Sequence, residues 1–157
     1  MTVHERWNKD HALEIINAHK AREGAMLPIL HALQHVFGYV PDDVIPLIAD
    51  ALNVSEAEVF GVITFYHDFR RKLPGRHVLK LCQAEACQAC GSDALAAHAE
   101  TKLGIKIGET TGDGRVTLEP VYCLGLCATA PSAMLDDGLV GRLDQARLEA
   151  LLVEAHQ

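Results

Sequence analysis

Where the cysteines fall constrains this chain more than any other feature. All five lie at positions 82, 87, 90, 123 and 127, so the first 81 residues carry none. In a reducing compartment, clustered cysteines point to metal binding or thiol chemistry rather than to a disulfide framework. The compartment itself is expected to be the cytoplasm. The opening stretch MTVHERWNKDHALEII is charged and lacks the apolar core of a secretory signal. No apolar run approaches the ~20 residues of a membrane helix, so no direct membrane insertion is expected. A formal net charge of −7 argues against nucleic acid as a partner, because phosphate contacts need clustered Lys and Arg.

Four of the cysteines form two clips. Cys82 and Cys87 are spaced C-x4-C, and Cys123 and Cys127 are spaced C-x3-C around Gly125, with 35 residues between the clips. Glycine at 125 lets the backbone turn tightly and approach a bound group, and Pro131 stiffens the exit. Each clip follows a segment that reads as a strand, so four thiolates can converge if both loops leave the same sheet edge. Such a set suits a tetrahedral zinc ion or an iron–sulfur cluster. Zinc ribbons favour C-x2-C knuckles, whereas a [2Fe–2S] centre has two irons that each need two ligands, and the wider clips favour it.

Cys87 and Cys90 also form C-x-x-C at a predicted helix start, the spacing of thiol–disulfide oxidoreductases. That reading leaves Cys82, Cys123 and Cys127 without a role. On a continuous helix Cys90 shares a face with Ala94 and Ala97, which predicts a small buried residue packed on the sheet. The alternatives of different class are thus a zinc-stabilised interaction module and a thiol–disulfide enzyme. His31 and His35 share a helix face, but no Glu completes an H-E-x-x-H motif, and no metal is expected there. No phosphate loop, nucleotide site or nucleophile–base set is visible.

Around the cysteines, the chain divides by pattern. The first half reads as four helices. Asp10 is the expected cap of the first, which carries Leu13, Ile16 and Ala18. Met26, Ile29, Leu30, Leu33, Val36 and Phe37 form the stripe of the second, stopped by Gly38. Asp42 or Asp43 caps the third, with Pro46 in its first turn. Ser55 and Glu58 make a capping box for the fourth, which bears Val59, Phe60, Val62, Ile63 and Tyr66. This bundle is expected to hold much of the aromatic content in its core. The basic segment RRKLPGRH, 70–77, reads as a solvated linker, which places a helical bundle at 1–73 and a second domain at 74–157. The second domain alternates: a strand at 77–81, one helix over about 87–103, strands near 115–122, 133–135 and 139–142, and a last helix from Asp144 with Leu148, Leu151, Leu152 and Ala155 inward. That order suits a small α/β sandwich.

The two clips at this separation, with the second in CLGLCATAP, resemble the thioredoxin-like [2Fe–2S] ferredoxins. MLPILHALQHVFGYVP and SEAEVFGVITFY resemble the N-terminal half of one branch, the 24-kDa-type subunit of respiratory complex I and its relatives in NAD-linked hydrogenases and formate dehydrogenases. CQAEACQACGSDALAAHAE is most similar to the gamma subunit of the NAD-dependent molybdenum formate dehydrogenases. The resemblance covers roughly residues 10 to 155. It implies an α+β chain, a helical bundle followed by a thioredoxin-like ferredoxin domain. It implies that Cys82, Cys87, Cys123 and Cys127 hold one [2Fe–2S] cluster, while Cys90 lies outside the ligand pattern. It further implies electron transfer with no turnover by the chain alone. FMN and NAD would sit on a neighbouring flavin- and NADH-binding subunit, within a larger assembly that includes a molybdopterin formate dehydrogenase subunit. Complex I or a hydrogenase is the alternative parent.

Overall fold

Helices α1 (Lys9–His19), α2 (Met26–Phe37), α3 (Ile45–Leu52) and α4 (Glu56–Phe65) come first, followed by β1 (His77–Cys82), α5 (Glu85–Ala89), α6 (Ser92–Leu103), β2 (Val116–Val121), β3 (Ala133–Leu135), β4 (Gly138–Val140) and α7 (Gln145–Ala155). This computed structural model describes residues 4–156. The described residues divide into two units, 4–73 and 74–156, each with its own core.

The first unit is helical because its apolar residues recur at helical spacing. Ile29, Leu30, Leu33 and Phe37 of α2 are fully buried against Ala12 and Ile16 of α1 and Ile48 of α3. Asn8, not Asp10, caps α1: its side chain accepts hydrogen bonds from the Asp10 and His11 amides. Asp10 falls in the first turn, where its charge faces the positive helix end, and Ala18 is exposed. Asp42 and Asp43 also do not cap. They enter a 3-10 turn, Asp42–Val44, that runs directly into α3. The capping box of α4 forms as read. The Ser55 amide donates to Glu58 Oε2 at 2.8 Å, and the Glu58 amide to Ser55 Oγ at 3.2 Å. The Ser55 amide, followed by its hydroxyl, holds the Glu58 carboxyl below its ordinary range.

One expectation fails in this unit. α4 is apolar on several sides but buries only Val59 and Ile63, leaving Phe60, Phe65 and Tyr66 on the surface. The basic segment is exposed at Arg71, Lys72, Leu73 and Arg76, and it also makes contacts of its own. Arg71 pairs with Asp42 through Nε at 3.1 Å and lies over the Phe60 ring at 5.1 Å. Just before it, buried Gln34 donates to the Asp68 carbonyl and accepts from the Arg70 amide, each at 2.6 Å.

In the second unit, β1 is central. Its neighbours give the order β2-β1-β3-β4, with β2 parallel to β1, β3 antiparallel to β1 and β4 antiparallel to β3. The helical crossover between β1 and β2 is what permits their parallel pairing. Leu79, Leu81, Val116, Leu118 and Ala133 supply the sheet's side of the core. α6 and α7 pack against it and against each other through Ala96, Ala99, Leu148 and Leu152. Asp144 caps α7, accepting from the Arg147 amide at 2.8 Å. Residues 108–111 run along the outer side of β2, with the Gly108 amide bonded to the Leu118 carbonyl at 2.7 Å and the Thr111 amide to the Val116 carbonyl at 2.9 Å.

The single helix read over 87–103 is two helices. α5 ends at Ala89, and Gly91 at φ +91° begins α6. That left-handed conformation strains any residue with a Cβ, and glycine supplies it freely. Cys90 therefore sits at the break, exposed, with Ala94 and Ala97 also facing solvent; Ser92, Ala96 and Ala99 form the buried face instead. The packed role expected for Cys90 is overturned.

Candidate cluster site

Three loops meet at one edge of the sheet because β1 lies between β2 and β3. Cys82, the last residue of β1, is in register with Val121, the last of β2. The Gln83 amide continues the pairing to the Val121 carbonyl at 2.8 Å, so the loop bearing Cys123 leaves the sheet beside Cys82. On the other side the Cys82 amide donates to the Ser132 carbonyl at 3.1 Å, one residue before β3. Cys87 follows on α5, whose first turn starts just beyond β1.

The four thiols differ in setting. Cys82 and Cys87 are each 2% exposed, whereas Cys123 and Cys127 are exposed. Burial pushes the Cys82 thiol up, but hydrogen bonding from the Ala84 amide, Cys87, the Cys123 amide and the Ser132 hydroxyl outweighs it and brings the thiol below its ordinary range. Cys87 moves the other way. Burial raises it first, and the neighbouring Cys82 adds to that, against opposing hydrogen bonds from Ser132. A raised, buried Cys87 is the reverse of the accessible, acidified thiol with which a thiol–disulfide enzyme attacks.

The second clip is built by its backbone. Cys123 has φ +102° and Gly125 φ +77°. These turns bring the Gly125 amide to 3.3 Å from Cys123 Sγ and place Cys123 Sγ 3.5 Å from Cys127 Sγ. Contact with Cys123, through hydrogen bonding and then charge, pushes the Cys127 thiol up, and the charges of Cys87 and Cys82 add to this. The loop exit is fixed by the Leu143 amide on the Pro131 carbonyl at 2.9 Å, after a cis Ala130–Pro131 peptide bond.

Among the described residues, no three His, Cys, Asp or Glu side chains gather as a cage for a single metal ion. The thiols form two pairs instead. Two thiolates ~2.3 Å from one tetrahedral metal stand ~3.8 Å apart, close to the 3.5 Å between Cys123 and Cys127. Donor type and two-by-two grouping therefore fit a centre with two iron atoms. His31 and His35 are exposed on α2, and His31 packs its ring on Phe69 at 4.9 Å between centroids. Ser132 escapes sequence reasoning. It is 2% exposed and its Oγ lies 3.5 Å from Cys87 Sγ.

This fold and site define a class: a thioredoxin-like α/β domain whose chemistry is a set of thiols at one sheet edge. The chain belongs to the thioredoxin-like [2Fe–2S] ferredoxins, whose family profile matches residues 12–156. One [2Fe–2S] cluster is that family's cofactor, and one-electron transfer is its chemistry. An E-type NADH-quinone oxidoreductase subunit of Rhizobium meliloti (strain 1021) is 44% identical over 131 residues, 83% of this chain and 78% of that protein. The NADP-reducing hydrogenase subunit HndA of Solidesulfovibrio fructosivorans is 32% identical over 142 residues, 90% of this chain and 83% of its own. Among solved structures, NAD+-reducing [NiFe]-hydrogenase in the H2-reduced state matches 81% of this chain with a TM-score of 0.67 and 26% identity. This chain spans only 22% of that hydrogenase chain. No helix among the described residues is long and apolar enough to cross a membrane.

Proposed function

We propose that the chain is a cytoplasmic electron-transfer subunit of an NAD-linked, multi-subunit oxidoreductase. Cys82, Cys87, Cys123 and Cys127 would hold its [2Fe–2S] cluster. The observation that carries the assignment is the meeting of both clips at one sheet edge, where Cys82 is in register with Val121 and the Gln83 amide bonds the Val121 carbonyl at 2.8 Å, so the Cys123 loop leaves beside Cys82. The cluster, when bound, supplies a site that takes up and releases one electron. The chain's own residues hold and insulate it. Cys82 and Cys87 anchor it to the core, the Ala84, Cys123 and Gly125 amides direct partial positive charge at sulfur, and the second clip stays on the surface.

On this reading electrons pass to and from a flavin- and NADH-binding subunit, which carries the FMN and NAD. The relatives favour a parent of the NADH-quinone oxidoreductase or hydrogenase type. A second reading, the gamma subunit of a molybdenum formate dehydrogenase, rests on the stretch CQAEACQACGSDALAAHAE and would add a molybdopterin subunit as partner. Two measurements test the proposal. Anaerobically purified protein is expected to hold two irons and two sulfides per chain and to give a paramagnetic signal only on reduction, and serine at any of the four positions is expected to abolish this. Full iron in a Cys87→Ser protein would defeat the ligand assignment. The native assembly, isolated through this chain and offered NAD+ with hydrogen or formate, or NADH with a quinone, identifies its parent.

A further inference from the structure

Ser132 is buried beside the inner thiol pair, and nothing in the four-cysteine motif explains it. Its carbonyl takes the Cys82 amide at 3.1 Å, which fixes its position at the end of β1. Its hydroxyl stands 3.5 Å from Cys87 Sγ. When both cysteines are thiolates they can only accept, so the hydroxyl must donate. A hydrogen bond to an ionised acceptor in a buried site is stronger than one between neutral groups.

We propose that Ser132 is a positioning residue that sets the reduction potential of the cluster by donating its single hydroxyl hydrogen bond to the Cys87 thiolate. This rests on the assignment of Cys82 and Cys87 as ligands. Reduction adds one electron and one negative charge to the centre, and no proton has to move. A donor aimed at the ligand sulfur stabilises the more negative, reduced form more than the oxidised form. Ser132 thereby raises the potential, and its proton stays on Oγ throughout. The exposed pair has water to play the same part, so the effect is confined to the buried side.

The test is a dye-mediated redox titration of the iron-loaded protein, followed by its paramagnetic signal, on wild type and the Ser132→Ala, Ser132→Val and Ser132→Thr variants. Iron and sulfide are measured on each. Valine fills the space without a donor, and threonine restores the hydroxyl. Expected is a roughly tenfold fall in the reduced-to-oxidised ratio at fixed potential for alanine and valine, a shift of about −59 mV for a one-electron couple, with threonine near wild type. As a second readout, the iron–sulfur stretching bands of wild type in the Raman spectrum should shift on transfer to D2O more than those of the valine variant. Fully loaded alanine and valine variants with unchanged midpoints and the wild-type deuterium shift would overturn the role of Ser132 while leaving the ligand assignment intact. Retention of the full cluster without Cys82 or Cys87 would instead remove the ligand assignment, and this inference with it.

Discussion

The two cysteine loops reach one edge by different means. Cys82 and Cys87 are part of the second unit's interior, each 2% exposed, and are held by a strand end, a short helix and Ser132. Cys123 and Cys127 stand on the surface, held by two left-handed backbone positions and a 3-10 turn at Cys127–Thr129. One pair is fixed by packing, the other by dihedral angles. Substitutions should therefore damage the inner loop through stability and the outer loop through geometry.

The largest expected effect separates the pairs in the iron-free protein. Cys87→Ala empties part of the core and should cost about 1 kcal/mol or more, lowering the melting temperature by roughly 4–8 °C for a domain of this size. Cys127→Ala, at an exposed position, should leave that temperature within about 1–2 °C, and calorimetry of the apo forms decides. Equal losses would break the contrast. Comparable in size is Gly125→Ala. Nothing lies within 4 Å of the added Cβ, so only the left-handed φ of +77° opposes it, at about 1–2 kcal/mol. Iron retention on dialysis should fall while helix content by circular dichroism stays the same. The smallest effect belongs to Cys90→Ser. The thiol is exposed at the α5–α6 break, so iron content should not change and stability should stay within about 0.5 kcal/mol. A loss of iron in that variant would show that the inner loop uses Cys90.

Much of this architecture was legible because spacing encodes it. The α2 stripe, the Ser55–Glu58 box, the start of the last helix at Asp144 and the succession of strands and helices along the second half each follow from a local pattern. Asp10 reads as the α1 cap because Asp is a favoured N-cap residue, yet Asn8, two positions earlier, takes that role. The α5–α6 break was missed because Ala-rich sequence on both sides of Gly91 favours helix, and only the glycine's left-handed φ interrupts it. Phe60 and Tyr66 read as core because hydrophobicity reports what a residue can bury and not whether a neighbour is present to bury it. Ser132 was out of reach for a different reason. It is 45 residues from Cys87 in sequence, and only the antiparallel pairing of β1 with β3 brings the two together.

The same sheet also limits how the second unit can associate. β4, one outer strand, is three residues long, and the free side of β2 is already bonded to residues 108–111. Neither flank offers a ladder of unpaired amides and carbonyls long enough to template another chain. A companion protein must therefore be recognised through side chains and loop surfaces rather than by strand addition, and the iron-free protein is correspondingly guarded against edge-to-edge aggregation.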